Sequence, residues 1–104
     1  MSKKIRISEL PEFDLAEQLR SPEDIATYLT MVIEDGDDAE LAHALGVAAR
    51  ARGMTEVARD AGMTREGLYK ALRPGAQPRF ETVRRVCRAL GVHLQVNING
   101  PNAA

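Results

Sequence analysis

The 104-residue sequence holds no tryptophan, one cysteine, two histidines and four aromatic rings in all, two Phe and two Tyr. A lone Cys87 excludes an intramolecular disulfide framework and a Cys-rich metal site. His43 and His93 stand fifty positions apart and show no metal-ligand spacing. No metal and no cofactor are expected. With so few rings, the core has to be built from Ala, Leu, Val, Ile and Met. No apolar run approaches the roughly 18 residues that a membrane span needs. The opening MSKKIRISELPEF lacks the apolar stretch of a secretory signal. These absences point to a cytoplasmic protein with no membrane contact. The length allows one domain, at roughly 100–200 residues each.

Charge is present in quantity but unevenly placed. Lys plus Arg is 14 and Asp plus Glu is 15, so the net charge is −1. Residues 1–40 carry 4 bases and 11 acids, net −7, whereas residues 41–104 carry 10 bases and 4 acids, net +6. Such a split suits an anionic partner for the second part and a different task for the first.

The pattern is mostly helical. Lys4 to Ser8 alternates as a short strand would, and Pro11 closes it. Asp14 to Leu19 suits a turn or two of helix capped by Asp14. Ser21-Pro22-Glu23-Asp24 is a strong helix start, with a hydroxyl cap, proline at the first position and acids at the positive end of the dipole. Ile25, Leu29, Val32 and Ile33 form its apolar stripe, and Gly36 ends it. Asp37 with Glu40 reads as a capping box. The stripe that follows is Leu41, Ala44, Leu45 and Ala48, stopped by Gly53. Two short helical patterns fill 54–72, broken at Gly62. Pro74, Gly75 and Pro78 mark a loop. Arg79 to Leu90 is a further helix with Val83, Val86, Cys87 and Leu90 inward and Gly91 as C-cap. Tyr28 and Phe80 are expected in the core or at its edge. Val92 to Ile98 alternates strictly and reads as a strand, able to pair with Lys4–Ser8 or with its twin in a second subunit. The organisation expected is an arm over 1–20, a helical domain over 21–91 and a terminal strand and tail over 92–104.

The segment MTEVARDAGMTREGLYKALR, residues 54–73, carries the chemistry. Two short helices that cross tightly need small residues at the crossing. Ala58 suits the approach. Gly62 suits the turn, where a positive φ is expected and a side chain is expected to clash. Val57, Ala61, Met63, Leu68 and Ala71 supply apolar contacts. The second helix, capped by Thr64, turns Leu68, Ala71 and Leu72 inward. Arg65, Glu66, Tyr69, Lys70 and Arg73 are left outward, a set suited to the DNA major groove. Arg65 matches a guanine edge and Glu66 a cytosine amino group. Tyr69 suits a thymine methyl or a phosphate, and Lys70 and Arg73 suit phosphates. Thr64 and the helix start suit a further phosphate. The bland alternative is a solvated basic surface.

These residues resemble the lambda-repressor-like, XRE-type helix-turn-helix domains. More closely, the chain resembles the HigA-like "probable addiction module antidote" antitoxins. The matching runs are Glu23 to Leu29, Ala48 to Thr55 and Thr64 to Leu72, and the likeness covers about residues 14–98. It departs at Glu56, where many relatives place a phosphate-binding Gln, and at Arg79, a poor helix cap. The resemblance implies a five- to six-helix fold and no enzymatic activity. It implies the antitoxin of a type II toxin–antitoxin pair, which binds a small basic RelE/ParE-like toxin and, as a homodimer, represses its own operon by binding operator DNA. The acid-rich start complements a basic partner, so Glu9, Glu12, Asp14 and Glu17 are the candidate toxin contacts. The alternatives are an adaptor that sequesters a protein without binding DNA, and a stand-alone repressor.

Overall fold

The computed structural model describes residues 12–98. Six helices are formed among them: α1 (Glu12–Gln18), α2 (Pro22–Asp35), α3 (Asp38–Arg52), α4 (Met54–Asp60), α5 (Arg65–Leu72) and α6 (Phe80–Ala89).

The caps explain most of the boundaries. The Asp24 N–H donates to Ser21 Oγ at 3.2 Å, and the Arg20 N–H donates to the Asp24 carboxylate at 3.0 Å. The start of α2 is therefore closed from both sides. Gly36 ends α2 with φ +82°. Asp37 opens α3 by accepting from the Ala39 N–H at 3.1 Å. Glu40 returns no hydrogen bond, so the expected capping box reduces to its first half. Gly53, at φ +118°, is at once the last cap of α3 and the first of α4. A corner this tight needs a residue without a Cβ. Asp14 lies inside α1 rather than capping it, because the helix begins two residues earlier.

The layering is set by α3, which packs against each of the other five helices. The sequence suggests a single stripe for it. Instead Ala42, Ala44, Leu45, Val47, Ala48 and Ala49 are all buried, which means most of its circumference. Small side chains let neighbours approach from several sides, and a helix buried all round loses amphipathic periodicity. Around it Leu15, Ile25, Leu29, Val57, Leu68, Val86 and Leu90 complete one core. Each fully buried Leu or Ile contributes about 1.5–3 kcal/mol relative to exposure.

Three further expectations differ from what the described chain shows. Ile33 is 46% exposed and Phe80 is 66% exposed, while Tyr28 is buried as expected. Phe80 opens α6 one turn before Val83, the first residue of that helix to be covered. The third concerns 92–98, which forms no strand; no strand occurs among the described residues. A strand requires a partner for its backbone, and none lies beside it in the described chain. Lys4–Ser8, the other expected strand, lies outside the described residues.

Candidate nucleic-acid interface

The α4–α5 corner is built from its backbone. The Met63 N–H donates to the Ala58 carbonyl at 2.8 Å and the Gly62 N–H to the Arg59 carbonyl at 3.1 Å. This pair of bonds is a Schellman motif, which requires a left-handed residue at its centre. Gly62 supplies it with φ +72°. A Cβ there would meet nothing within 4 Å, so the expected clash is absent and the backbone angle alone calls for glycine. Ala58 and Leu68 are buried at the crossing, at 2% and 0% exposure.

Thr64 caps α5, accepting from the Gly67 N–H through Oγ1 at 2.9 Å. Its hydroxyl hydrogen remains available to donate. A Cβ at Gly67 would lie 3.0 Å from that same oxygen. Gly67, which the sequence pattern leaves without a role, is thus part of the cap. Another close approach positions the whole helix. A Cβ at Gly46 on α3 would stand 3.3 Å from the Leu72 carbonyl, so the C-terminal end of α5 rests directly on α3.

With Leu68 and Leu72 held inward, Arg65, Glu66, Tyr69, Lys70 and Arg73 are all exposed. Arg65 is organised rather than free. Its Nη1 donates to Thr55 Oγ1 on α4 at 3.2 Å, and Nη2 reaches the Tyr69 hydroxyl at 3.5 Å. Its guanidinium carbon lies 5.6 Å from the centre of the Tyr69 ring. Thr55 therefore belongs to the site, although no sequence signal beyond its place at the start of α4 marks it. The eight residues of α5 span about 12 Å. Arg65 and Tyr69 occupy one end. Lys70 and Arg73 border a shallow recess at the other, with Pro74, Gly75 and Pro78.

The surrounding charges are partly spent. Arg59 pairs with Asp60 at 3.1 Å, and Arg85 with Glu81 at 3.3 Å. Arg52 donates to the Leu90 carbonyl at 3.4 Å, across the end of α6. Glu56 is exposed on α4. Arg79 stands before α6 with no side-chain cap bond, as its residue type suggests. Of the acids proposed for a protein partner, Glu17 is exposed and Asp14 half-buried on α1. Glu9 and the Glu12 side chain lie outside the description.

Little else among the described residues suggests chemistry. Cys87 is buried, and burial pushes its thiol above the usual range, which disfavours the reactive thiolate. Among the described residues, no group of His, Cys, Asp and Glu could hold a metal. None of the described helices is long and apolar enough to cross a membrane.

Residues 9–98 match the model of a family described as "Probable addiction module antidote protein". The chain belongs to that family. An uncharacterized protein of Haemophilus influenzae is 47% identical over 88 residues, covering 85% of this chain and 91% of its own length. No solved structure matches. For an antidote the expected counterpart is a toxin, and the family description suggests regulation rather than catalysis.

Proposed function

We propose that this chain is the antitoxin of a type II toxin–antitoxin pair, acting in the cytoplasm. In this reading α4 and α5 form a lambda-repressor-like helix-turn-helix that binds operator DNA. A homodimer sets two α5 helices about one DNA turn, roughly 34 Å, apart on a palindromic site. The observation that carries the reading is the exposed face of α5, with Arg65 held by Thr55 and Tyr69. A guanidinium fixed in this way loses less freedom when it makes paired hydrogen bonds to a guanine edge. Glu66 faces a cytosine amino group, Tyr69 a thymine methyl or a phosphate. Lys70, Arg73 and the Thr64 hydroxyl take phosphates, with Arg79 reaching a flanking one. The net +6 of residues 41–104 supports the same assignment.

The test is fluorescence anisotropy of the protein with its own upstream DNA over a salt series. Binding should weaken steeply as salt rises, because each neutralised phosphate releases counterions. Arg65→Ala should cost about 1–3 kcal/mol and relax discrimination at one base pair. Salt-insensitive or absent binding, unchanged by Arg65→Ala, would instead favour an adaptor that only sequesters a protein.

The acid-rich start is the proposed contact for a small basic RelE/ParE-like toxin. Residues 1–40 carry net −7, which complements such a surface. Changing Glu9, Glu12, Asp14 and Glu17 together to their amides should slow association with the toxin, measured by surface plasmon resonance. An unchanged association rate places the toxin contact elsewhere.

A further inference from the structure

The 92–98 segment has a defined beginning and an unfinished end. The Val92 N–H is anchored to the Cys87 carbonyl at 2.9 Å, in a Schellman motif around Gly91. No backbone hydrogen bond joins 93–98 to the rest of the described chain. The side chains follow the same course. Val92 is half-buried, Leu94 is 38% exposed, and Val96 and Ile98 are 97% and 95% exposed. Between this segment and α2 runs an open groove of about 900 Å³, whose α2 wall includes Ala26, Leu29 and the exposed Ile33.

Two features of the residues say what covers it. The first is register. When 92–98 lies antiparallel to itself about Gln95, Val92 faces Ile98 and Leu94 faces Val96, so every apolar side chain falls on one face. His93, Asn97 and the two Gln95 residues fall on the other. The second is charge. The segment has no acid and no base besides His93, so it meets its own copy without repulsion. The adjoining α2 carries Glu23, Asp24, Glu34 and Asp35 and no Lys or Arg, so two α2 helices would repel face to face.

We propose that 92–98 pairs antiparallel with the same segment of a second copy, centred on Gln95, and that the resulting ribbon closes the α2 groove of both copies. A two-stranded ribbon alone is marginal in water. Here the α2 groove supplies the third layer, burying Ile33 together with Leu94, Val96 and Ile98. The inference gives the homodimer reading a surface and a register, and it needs neither DNA nor toxin.

The test uses the full chain at tens of micromolar, with mass measured by light scattering after size exclusion. The wild type should have the mass of two chains. The double variant Val96→Lys/Ile98→Lys should fall to one, with its helical circular dichroism unchanged, because neither residue contributes to the core. Register is read by disulfide formation in a Cys87→Ala background. Gln95→Cys should cross-link under mild oxidation, because residues facing across an antiparallel pair have Cα atoms about 4.5–5.5 Å apart, within the range of roughly 4.4–6.8 Å that a disulfide spans. Asn97→Cys should not, because two copies of residue 97 are offset by roughly 14 Å along the ribbon. A double variant that remains a dimer keeps the homodimer but overturns this surface. A monomeric wild type overturns both. Equal cross-linking of the two cysteine variants overturns the register.

Discussion

Thr64 and Gly67 act as one unit. The hydroxyl of the first accepts the N–H of the second, and the missing Cβ of the second leaves room for that oxygen. Thr64→Ala should cost about 1 kcal/mol of stability, the usual value of a lost N-cap. Gly67→Ala should also destabilise the wild type, because its methyl presses on the cap. In the Thr64→Ala background the same change should become neutral or stabilising, since alanine is the better helix former. Urea unfolding of the four proteins measures the cycle, and strictly additive costs would show that the two residues act independently. Arg65 shows the same economy of position. It already has two partners, Thr55 and Tyr69, so its placement is a property of the fold and not of the residue type.

At the level of elements, α5 owes its place to two supports, the Schellman turn at Gly62 and the seat on Gly46. A larger residue at Gly46 cannot be absorbed by rotating a side chain, because what it meets is the Leu72 carbonyl. Gly46→Val should therefore lower stability by about 1–3 kcal/mol, the usual cost of overpacking. On the proposed DNA-binding reading it should also weaken operator affinity beyond what the stability loss explains, because α5 is displaced; thermal melts and anisotropy together separate the two effects. The sequence makes much of this legible. Ser21-Pro22, Gly36, Gly53 and Gly91 mark ends that follow from local backbone chemistry. The inward set of α5 follows from its periodicity. What the pattern hides depends on neighbours distant in the chain. The burial of α3 on most of its sides, the role of Thr55 and the seat at Gly46 each arise from residues brought together by folding. Alternation over 92–98 is real, yet it specifies a strand only where a second strand exists to receive it. Phe80 shows the opposite failure, an aromatic residue in the right phase that the neighbouring elements do not reach.

For the molecule as a whole, the charge division gives the two ends different environments. Residues 1–40 are net acidic and residues 41–104 net basic, so the two parts set fields of opposite sign. The two are joined through one buried helix, and this arrangement governs how the chain comes apart. Since α3 touches all five other helices, no piece of the bundle can open widely without exposing it to water. Its amide protons should exchange with solvent late and together, at the rate of complete unfolding, while those at the outer ends of α1 exchange earlier. Native-state hydrogen exchange checks this, and early exchange confined to half of α3 would contradict it. Proteolysis of the described helices should then be all-or-none: a protease that gains a foothold in their core should leave no stable remnant behind.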